Sequence, residues 1–242
     1  MMERAGLTMP VRLACQARLD TGKVSVSQIF KDETDYSLYL SKQRPHDEQE
    51  MGKEMDMALF FLDIRNFTRF IKDHLAFDAI HLVRKLFTMF GNEIHRRHGR
   101  IVETAGDGLY AAFGFTQTSI KESANDALLA GQDIIRQLHA LNDEYFQDVF
   151  QEEIQIGIGL HVGKVAVGKL LIEKETHQIV MGYAVNVAAR LEALTKKLNN
   201  NFIISHDVYR LLSEKPPGSY RTLKLKGTNS LWKLHMIGEI NH

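Results

Sequence analysis

Cysteine occurs once in the 242 residues, at Cys15, so no disulfide can form within the chain, and the composition fits a reducing compartment. An excess of charge is missing too, since Lys and Arg total 30 and Asp and Glu total 30. Without a basic field, nucleic acid and anionic lipid drop out as expected partners and a small molecule becomes the more natural ligand. No apolar run approaches the ~20 residues of a membrane helix. The first residues, MMERAGLTMPVRLACQARL, also lack the continuous apolar core of a signal peptide. The expectation is a cytoplasmic chain with no membrane association, and a length of 242 residues allows one ordinary domain plus an appendage.

What is present centres on Val102 to Gly114, VETAGDGLYAAFG. Ala105 to Gly108 reads as a tight turn between two strand-like runs, Arg100 to Thr104 and Leu109 to Phe113. Asp107 then stands at a hairpin tip, with a glycine on each side available for positive φ. An aspartate in such a turn can serve the turn and nothing else. A second aspartate upstream gives it another meaning. Asp63 closes the apolar run Met57 to Leu62, which is short for a helix and suits a strand buried on both faces. It also stands where it could cap the helix that follows, so turn and cap remain alternatives for the two residues. Carboxylates converging from the ends of buried strands repel each other unless a cation lies between them, which makes the pair a candidate Mg²⁺ or Mn²⁺ site.

After Asp63 a first helical stretch reaches about His74. Ile80, Val83, Leu86, Phe87, Phe90 and Ile94 then recur at three- and four-residue spacing, which predicts an amphipathic helix stopped at Gly99. Its tail, His95-Arg96-Arg97-His98, reads as a solvated end favoured by the helix dipole. Ala124, Ala127, Leu128, Gly131, Ile134, Ile135 and Leu138 predict a long helix over a sheet. Ile154 to Val162 predicts a strand, with Lys164 to Ile172 as its neighbour. Gly157, Gly159, Gly163 and Gly168 fit neither nucleotide-binding glycine fingerprint and read as places of close strand approach. Asn186 and Arg190 fall one turn apart on one helical face, and Glu192 with Lys196 reads as an ordinary surface pair. Taken alone, Arg190 could equally pair with a neighbouring carboxylate. Strand Phe202 to Ser205, helix Asp207 to Leu212 and paired strands Tyr220 to Leu225 and Leu231 to Met236 complete an α/β sandwich.

FLDIRNFT, ETAGDGLYAAFG, GIGLHVGKVAVG and MGYAVNVAARLEALT, in this order and at these distances, resemble the catalytic domain of the class III adenylate and guanylate cyclases. The resemblance covers Met55 to Ile237 and implies the class III nucleotide cyclase fold, a central, mostly antiparallel sheet flanked by helices. It implies conversion of ATP or GTP to the 3′,5′-cyclic nucleotide and pyrophosphate in intracellular signalling. On that likeness Asp63 and Asp107, with the backbone carbonyl of Ile64, hold two Mg²⁺ or Mn²⁺ ions. Asn186 orients the ribose and Arg190 stabilises charge on the α-phosphate. The first turn after Asp63, at Phe67 and Thr68, offers backbone N–H groups to the β- and γ-phosphates, and Lys226 belongs to the same substrate site. Family members place the metal aspartates and the Asn/Arg pair on opposite subunits, which implies a homodimer with shared active sites.

The chain departs from the family's pattern at several positions. Asn66 replaces a usual glycine, and Gly157 stands where some members have a phosphate-binding arginine. Thr228 stands where a second lysine often follows, so Lys226 or Lys164 is expected to compensate. At the base-recognition positions, Glu103 lies where adenylate cyclases commonly carry lysine and guanylate cyclases glutamate. Ile179 lies where the family commonly uses aspartate, threonine or cysteine. The alternative reading is a catalytically weak or inactive cyclase-fold module that binds nucleotide and dimerises as a regulator. Intact Asp63, Asp107, Asn186 and Arg190 favour the active enzyme.

A second resemblance lies upstream. Arg12-Leu13-Ala14-Cys15-Gln16, followed by the strand-like Lys23 to Val26, is similar to the closing segment of a plant-type [2Fe-2S] ferredoxin. The other three cysteine ligands are absent and one thiolate cannot hold the cluster, so no iron–sulfur cluster is expected and Cys15 reads as a small buried hydrophobe. The expected organisation is a truncated ferredoxin-like remnant over 1–30, a polar linker over 31–54 and the cyclase catalytic domain over 55–242.

Overall fold

The computed structural model describes residues 52–172, 175–228 and 230–240. The ferredoxin-like stretch, Cys15 and nearly all of the linker lie outside the described residues. Among these residues the chain runs β1 (Lys53–Ile64), α1 (Phe67–Asp73), α2 (Ala76–Arg96), β2 (Arg100–Ala105), β3 (Gly108–Phe113) and α3 (Ile120–Leu141). A π-helical turn, Asn142–Phe146, and α4 (Gln147–Phe150) lead to β4 (Ile156–Ile172) and β5 (Glu175–Met181). Then come α5 (Tyr183–Leu198), β6 (Phe202–Ser205), α6 (His206–Leu211), β7 (Ser219–Lys224) and β8 (Leu231–Met236).

The strands form one eight-stranded sheet in the order β2-β3-β1-β4-β6-β8-β7, with β5 paired to β4 beside this path. Every pairing is antiparallel except β4 with β6. β1 lies between β3 and β4, so its apolar run is covered on both faces. Ala58, Phe60, Leu62 and Ile64 point into the larger core with α2 and α3, while Met57 and Leu59 point to the opposite face with Ala184 and Ala188 of α5. The sheet is therefore clad by several helices on one side and chiefly by α5 on the other. No helix of the described residues is long and apolar enough to cross a membrane.

Four local expectations are corrected by tertiary packing. Ile154 to Val162 and Lys164 to Ile172 are not neighbouring strands: β4 continues through Gly163, because β1 pairs with it from Ile156 to Val167 and carries it past any turn. The neighbour of its far half is β5. On α2, Leu86, Phe90 and Ile94 are buried and Val83 and Phe87 pack against the core as expected, but Ile80 is exposed and Ala79 and Leu82 take the inner positions of the first turns. The tail of α2 is not simply solvated either. Arg96 and Arg97 each approach Asp133 of α3 at 2.8 Å, and Asp133 is only 3% exposed. Burial pushes that carboxyl up, but the guanidiniums of Arg97, Arg96 and Arg136 outweigh it and hold it below its ordinary value. Finally, Gly159 and Gly163 of β4 make room for a helix, while Gly168 does lie against strand neighbours, Gly52 just before β1 and Ile179 of β5. A side chain at Gly159 would strike the backbone of α5 at Ala188 and Glu192.

His161 on β4 is buried beneath Trp232, edge to face at 5.6 Å, with Nδ1 2.8 Å from the Ser205 hydroxyl that also caps α6 at Val208. Burial lowers its pKa from 6.5 to about 4. The unfolded chain therefore binds more protons between these values, and the stability tied to neutral His161 is complete above 6.5 and lost as the pH falls towards 4. Urea titrations at pH 7 and pH 5 are expected to show acid destabilisation that shrinks in His161→Gln, by a difference of about 2 kcal/mol.

Candidate active site

The antiparallel register of β1 and β3 sets Asp63 opposite Gly108, the residue after Asp107. The Ile64 N–H donates to the Asp107 carbonyl at 3.2 Å, which fixes the β2–β3 turn against the end of β1. Gly106 supplies the positive φ of that turn, at 61°, while Gly108 is spared a side chain whose Cβ would stand 3.2 Å from the Asp63 carboxylate. Asp63 itself is still in the strand and does not cap α1. Asn66 occupies the N-cap with φ 57°, the left-handed conformation expected where the family has glycine, and makes no side-chain capping bond.

Asp63 and Asp107 line one cleft of about 680 Å³ with Ile64, Phe67 and Thr68, so five of the expected site residues converge. The Ile64 side chain is in the core, 2% exposed, so what it presents to the cleft is main chain. Burial and the neighbouring Asp107 charge raise the Asp63 pKa, against the opposing pull of Arg65 and Lys196. Among the described residues no cluster of three or more His, Cys, Asp or Glu side chains could hold a metal ion. The available donors are two carboxylates and a carbonyl, all oxygen. Such a hard set fits Mg²⁺ or Mn²⁺, which keep other positions for water and phosphate, and mutual repulsion of the two carboxylates is what a cation would relieve.

Three residues of this site were not recognised in the sequence. Arg65 is folded inward, with its side chain 9% exposed. It stands 3.0 Å from the Glu192 carboxylate, 3.4 Å from the Glu192 carbonyl and 3.9 Å from Asp63. Its guanidinium fills the space above Gly157, where any side chain would collide with it. Glu192 accordingly is no surface partner of Lys196. Burial pushes its carboxyl up to about 7 despite the Arg65 charge, with Asp63 adding to the rise. Lys196, from the last turn of α5, lines the aspartate cleft. The signal for Glu192 was its position four residues after buried Ala188 and three before buried Thr195, on the inner stripe of the helix.

The remaining expected residues lie elsewhere. Asn186 is exposed on α5. Arg190, one turn further, lies under the β7–β8 connection, its Nη2 3.2 Å from where a Cβ on Gly227 would stand, beside Lys226 in sequence. Its Nη1 is buried without a hydrogen-bond partner among the described residues. Glu103 is exposed on β2 opposite Tyr110, and Ile179 is half-buried on β5 opposite Gly168. None of these lines the aspartate cleft. Along the helix axis Arg190 lies about 9 Å and Asn186 about 15 Å from Lys196.

This helix-clad sheet, with Asp63 near a strand end and Asp107 in the adjoining turn over an open cleft, has the architecture of nucleotide cyclase catalytic domains. The chain belongs to the adenylate and guanylate cyclase catalytic domain family, whose family model matches residues 49–234. It is 30% identical over 163 residues to an uncharacterised protein of Mycobacterium tuberculosis, and 28% identical over 189 residues to an adenylate cyclase of Anabaena cylindrica. These matches cover 67% and 75% of this chain but 29% and 36% of those proteins, so the chain spans about a third of the length of the curated relatives it matches. The adenylyl cyclase CyaB of P. aeruginosa shares the fold, with a TM-score of 0.71 at 20% identity over 78% of this chain and 97% of that one. The guanylate cyclase domain of RhGC from Catenaria anguillulae, solved in complex with GTP, is 25% identical with a TM-score of 0.65, over 78% of this chain and all of that one (100%).

Proposed function

We propose that this chain is a nucleotide cyclase that converts ATP or GTP to the 3′,5′-cyclic nucleotide and pyrophosphate, as a homodimer with two shared active sites. The observation that carries this reading is the convergence of Asp63 and Asp107 on one cleft whose like charges call for cations. In the reaction the ribose 3′-hydroxyl gives up its proton to water and its oxygen forms a bond to the α-phosphorus, while the bond from that phosphorus to the α,β-bridging oxygen breaks and pyrophosphate leaves with that electron pair. Asp63, Asp107 and the Ile64 main chain would hold two Mg²⁺ or Mn²⁺ ions. When bound, these ions lower the pKa of the 3′-hydroxyl and offset the charge of the triphosphate. Phe67 and Thr68 present the first turn of α1 to the terminal phosphates.

Arg190 and Asn186 sit too far along α5 to act in the cleft that Lys196 lines, and this separation is the support for a dimer. Asn186 and Arg190 of one subunit complete the aspartate cleft of the other, orienting the ribose and meeting the α-phosphate with a guanidinium whose Nη1 has no hydrogen-bond partner among the described residues. Lys226, beside Gly227, stands with Arg190 in the same half-site.

Glu103 and Ile179 form the base end of that half-site. A carboxylate accepts from guanine N1–H and its 2-amino group together, whereas adenine offers only its 6-amino donor. Ile179 contributes no hydrogen bond, so discrimination falls to Glu103. Turnover assays on ATP and GTP with Mn²⁺ test the whole reading, and release of no cyclic nucleotide from either would sink it. In the same assay Glu103→Lys is expected to shift the kcat/KM ratio towards ATP by about tenfold, the effect of mispairing one charged acceptor. Glu103 is exposed, so the substitution leaves the fold intact. An unmoved ratio would remove Glu103 from the base pocket.

A further inference from the structure

The broken pairing of Glu192 and Lys196 has a consequence for the ligand. Glu192 turns inward to Arg65, and Lys196 is left exposed on the last turn of α5, with no carboxylate within 4.0 Å among the described residues. Four cations line the aspartate cleft: Arg65, Arg69, Lys72 and Lys196. Two of them are taken. Arg65 is held by Glu192 and packed over Gly157, and Arg69 lies 3.4 Å from Asp73. Lys72 and Lys196 form no ion pair among the described residues. Of these two, Lys196 is the one whose charge is felt at Asp63. Two carboxylates with an unpaired ammonium beside them form the charge pattern of a site that takes a cation and a polyanion together. The carboxylates by themselves would repel phosphate, and the ammonium alone would not need the cleft.

We propose that Lys196 binds the terminal phosphates of a metal-bound triphosphate in the cleft of its own chain. The proposal rests on the cyclase reading for the identity of the full substrate, but the chemistry it names is narrower: a divalent cation with a di- or triphosphate. A lysine suits the task because its compact charge on a flexible stem follows a phosphate tail without fixed geometry. The same helix would then serve both sites of a dimer, its last turn holding phosphate in its own cleft and its first half, with Asn186 and Arg190, completing the partner's.

Lys197 provides the control. It is the next residue, exposed and of the same charge, but it is not among the residues lining the cleft. The full chain and its Lys196→Ala, Lys196→Arg and Lys197→Ala variants are titrated with inorganic pyrophosphate in saturating Mn²⁺ by calorimetry, and their steady-state kinetics are measured in parallel. Lys196 is exposed and alanine favours a helix, so these variants keep the fold, which thermal melting checks. Lys196→Ala is expected to weaken pyrophosphate binding about tenfold and to raise KM for the nucleotide more than it lowers kcat. Lys196→Arg should recover most of the affinity, and Lys197→Ala should change it less than about twofold. Equal losses in Lys196→Ala and Lys197→Ala, undiminished binding by Lys196→Ala, or no pyrophosphate binding by the unsubstituted chain would each overturn the proposal. Pyrophosphate binding that depends on Lys196 in a chain without turnover would overturn the cyclase reading and leave this one standing.

Discussion

Replacing Asp107 with alanine is expected to lower cyclic nucleotide formation by at least about a thousandfold while the chain stays folded. The side chain lies in the β2–β3 turn, and the bond that secures the turn uses the Asp107 carbonyl, which alanine retains. No core volume is lost. Asp63→Asn should be equally inactive and, without metal, no less stable than the native chain. Burial and Asp107 already disfavour the Asp63 carboxylate, so neutralising it removes repulsion. Thermal melting with and without Mn²⁺ separates the two effects. The native chain should gain stability from the ion because only the folded state binds it, whereas either variant should lose most of that gain. Turnover by Asp107→Ala near the native rate, or an unchanged response to Mn²⁺, would dismiss the paired carboxylates as a metal site.

The sequence made some parts of this arrangement legible and hid others, for physical reasons. Asp63 stood out because it closes an unbroken apolar run, and Asp107 because it sits in a glycine turn just ahead of another, local signals that tertiary packing had no reason to override. Asn186 and Arg190 were legible as one helical face for the same reason. Glu192 was misread because an i,i+4 Glu–Lys spacing is a statement about one helix, whereas the partner it chose, Arg65, lies 127 residues away and is brought close by β1 and β4 pairing beneath α5. Gly157 belongs to the same misreading. Its lack of a side chain makes space for the Arg65 guanidinium, and only the assembled sheet shows that. The break expected between two strands at Gly163 failed similarly. A glycine marks where a turn is permitted, but the unbroken register with β1 determined that none forms.

Mixing two inactive chains, Asp107→Ala and Arg190→Ala, is expected to restore activity. If each cleft takes its carboxylates from one subunit and its Asn186–Arg190 pair from the other, a heterodimer contains one doubly damaged cleft and one untouched. Random exchange at equal concentrations makes half the dimers mixed, so activity should return to about a quarter of the native level. The geometry of α5 makes this the demanding test of the shared site, because Lys196 reaches its own chain's aspartates while Arg190 is about 9 Å and Asn186 about 15 Å back along the axis. Arg190→Ala leaves a cavity beside Gly227 and could loosen the β7–β8 connection, so Arg190→Lys, which keeps charge and most of the volume but loses the planar fork, is run beside it. Exchange is verified by recovering one chain through a tag on the other. Verified exchange without regained activity would place Asp63, Asp107, Asn186 and Arg190 in the service of a single chain and remove the argument for a dimeric active site.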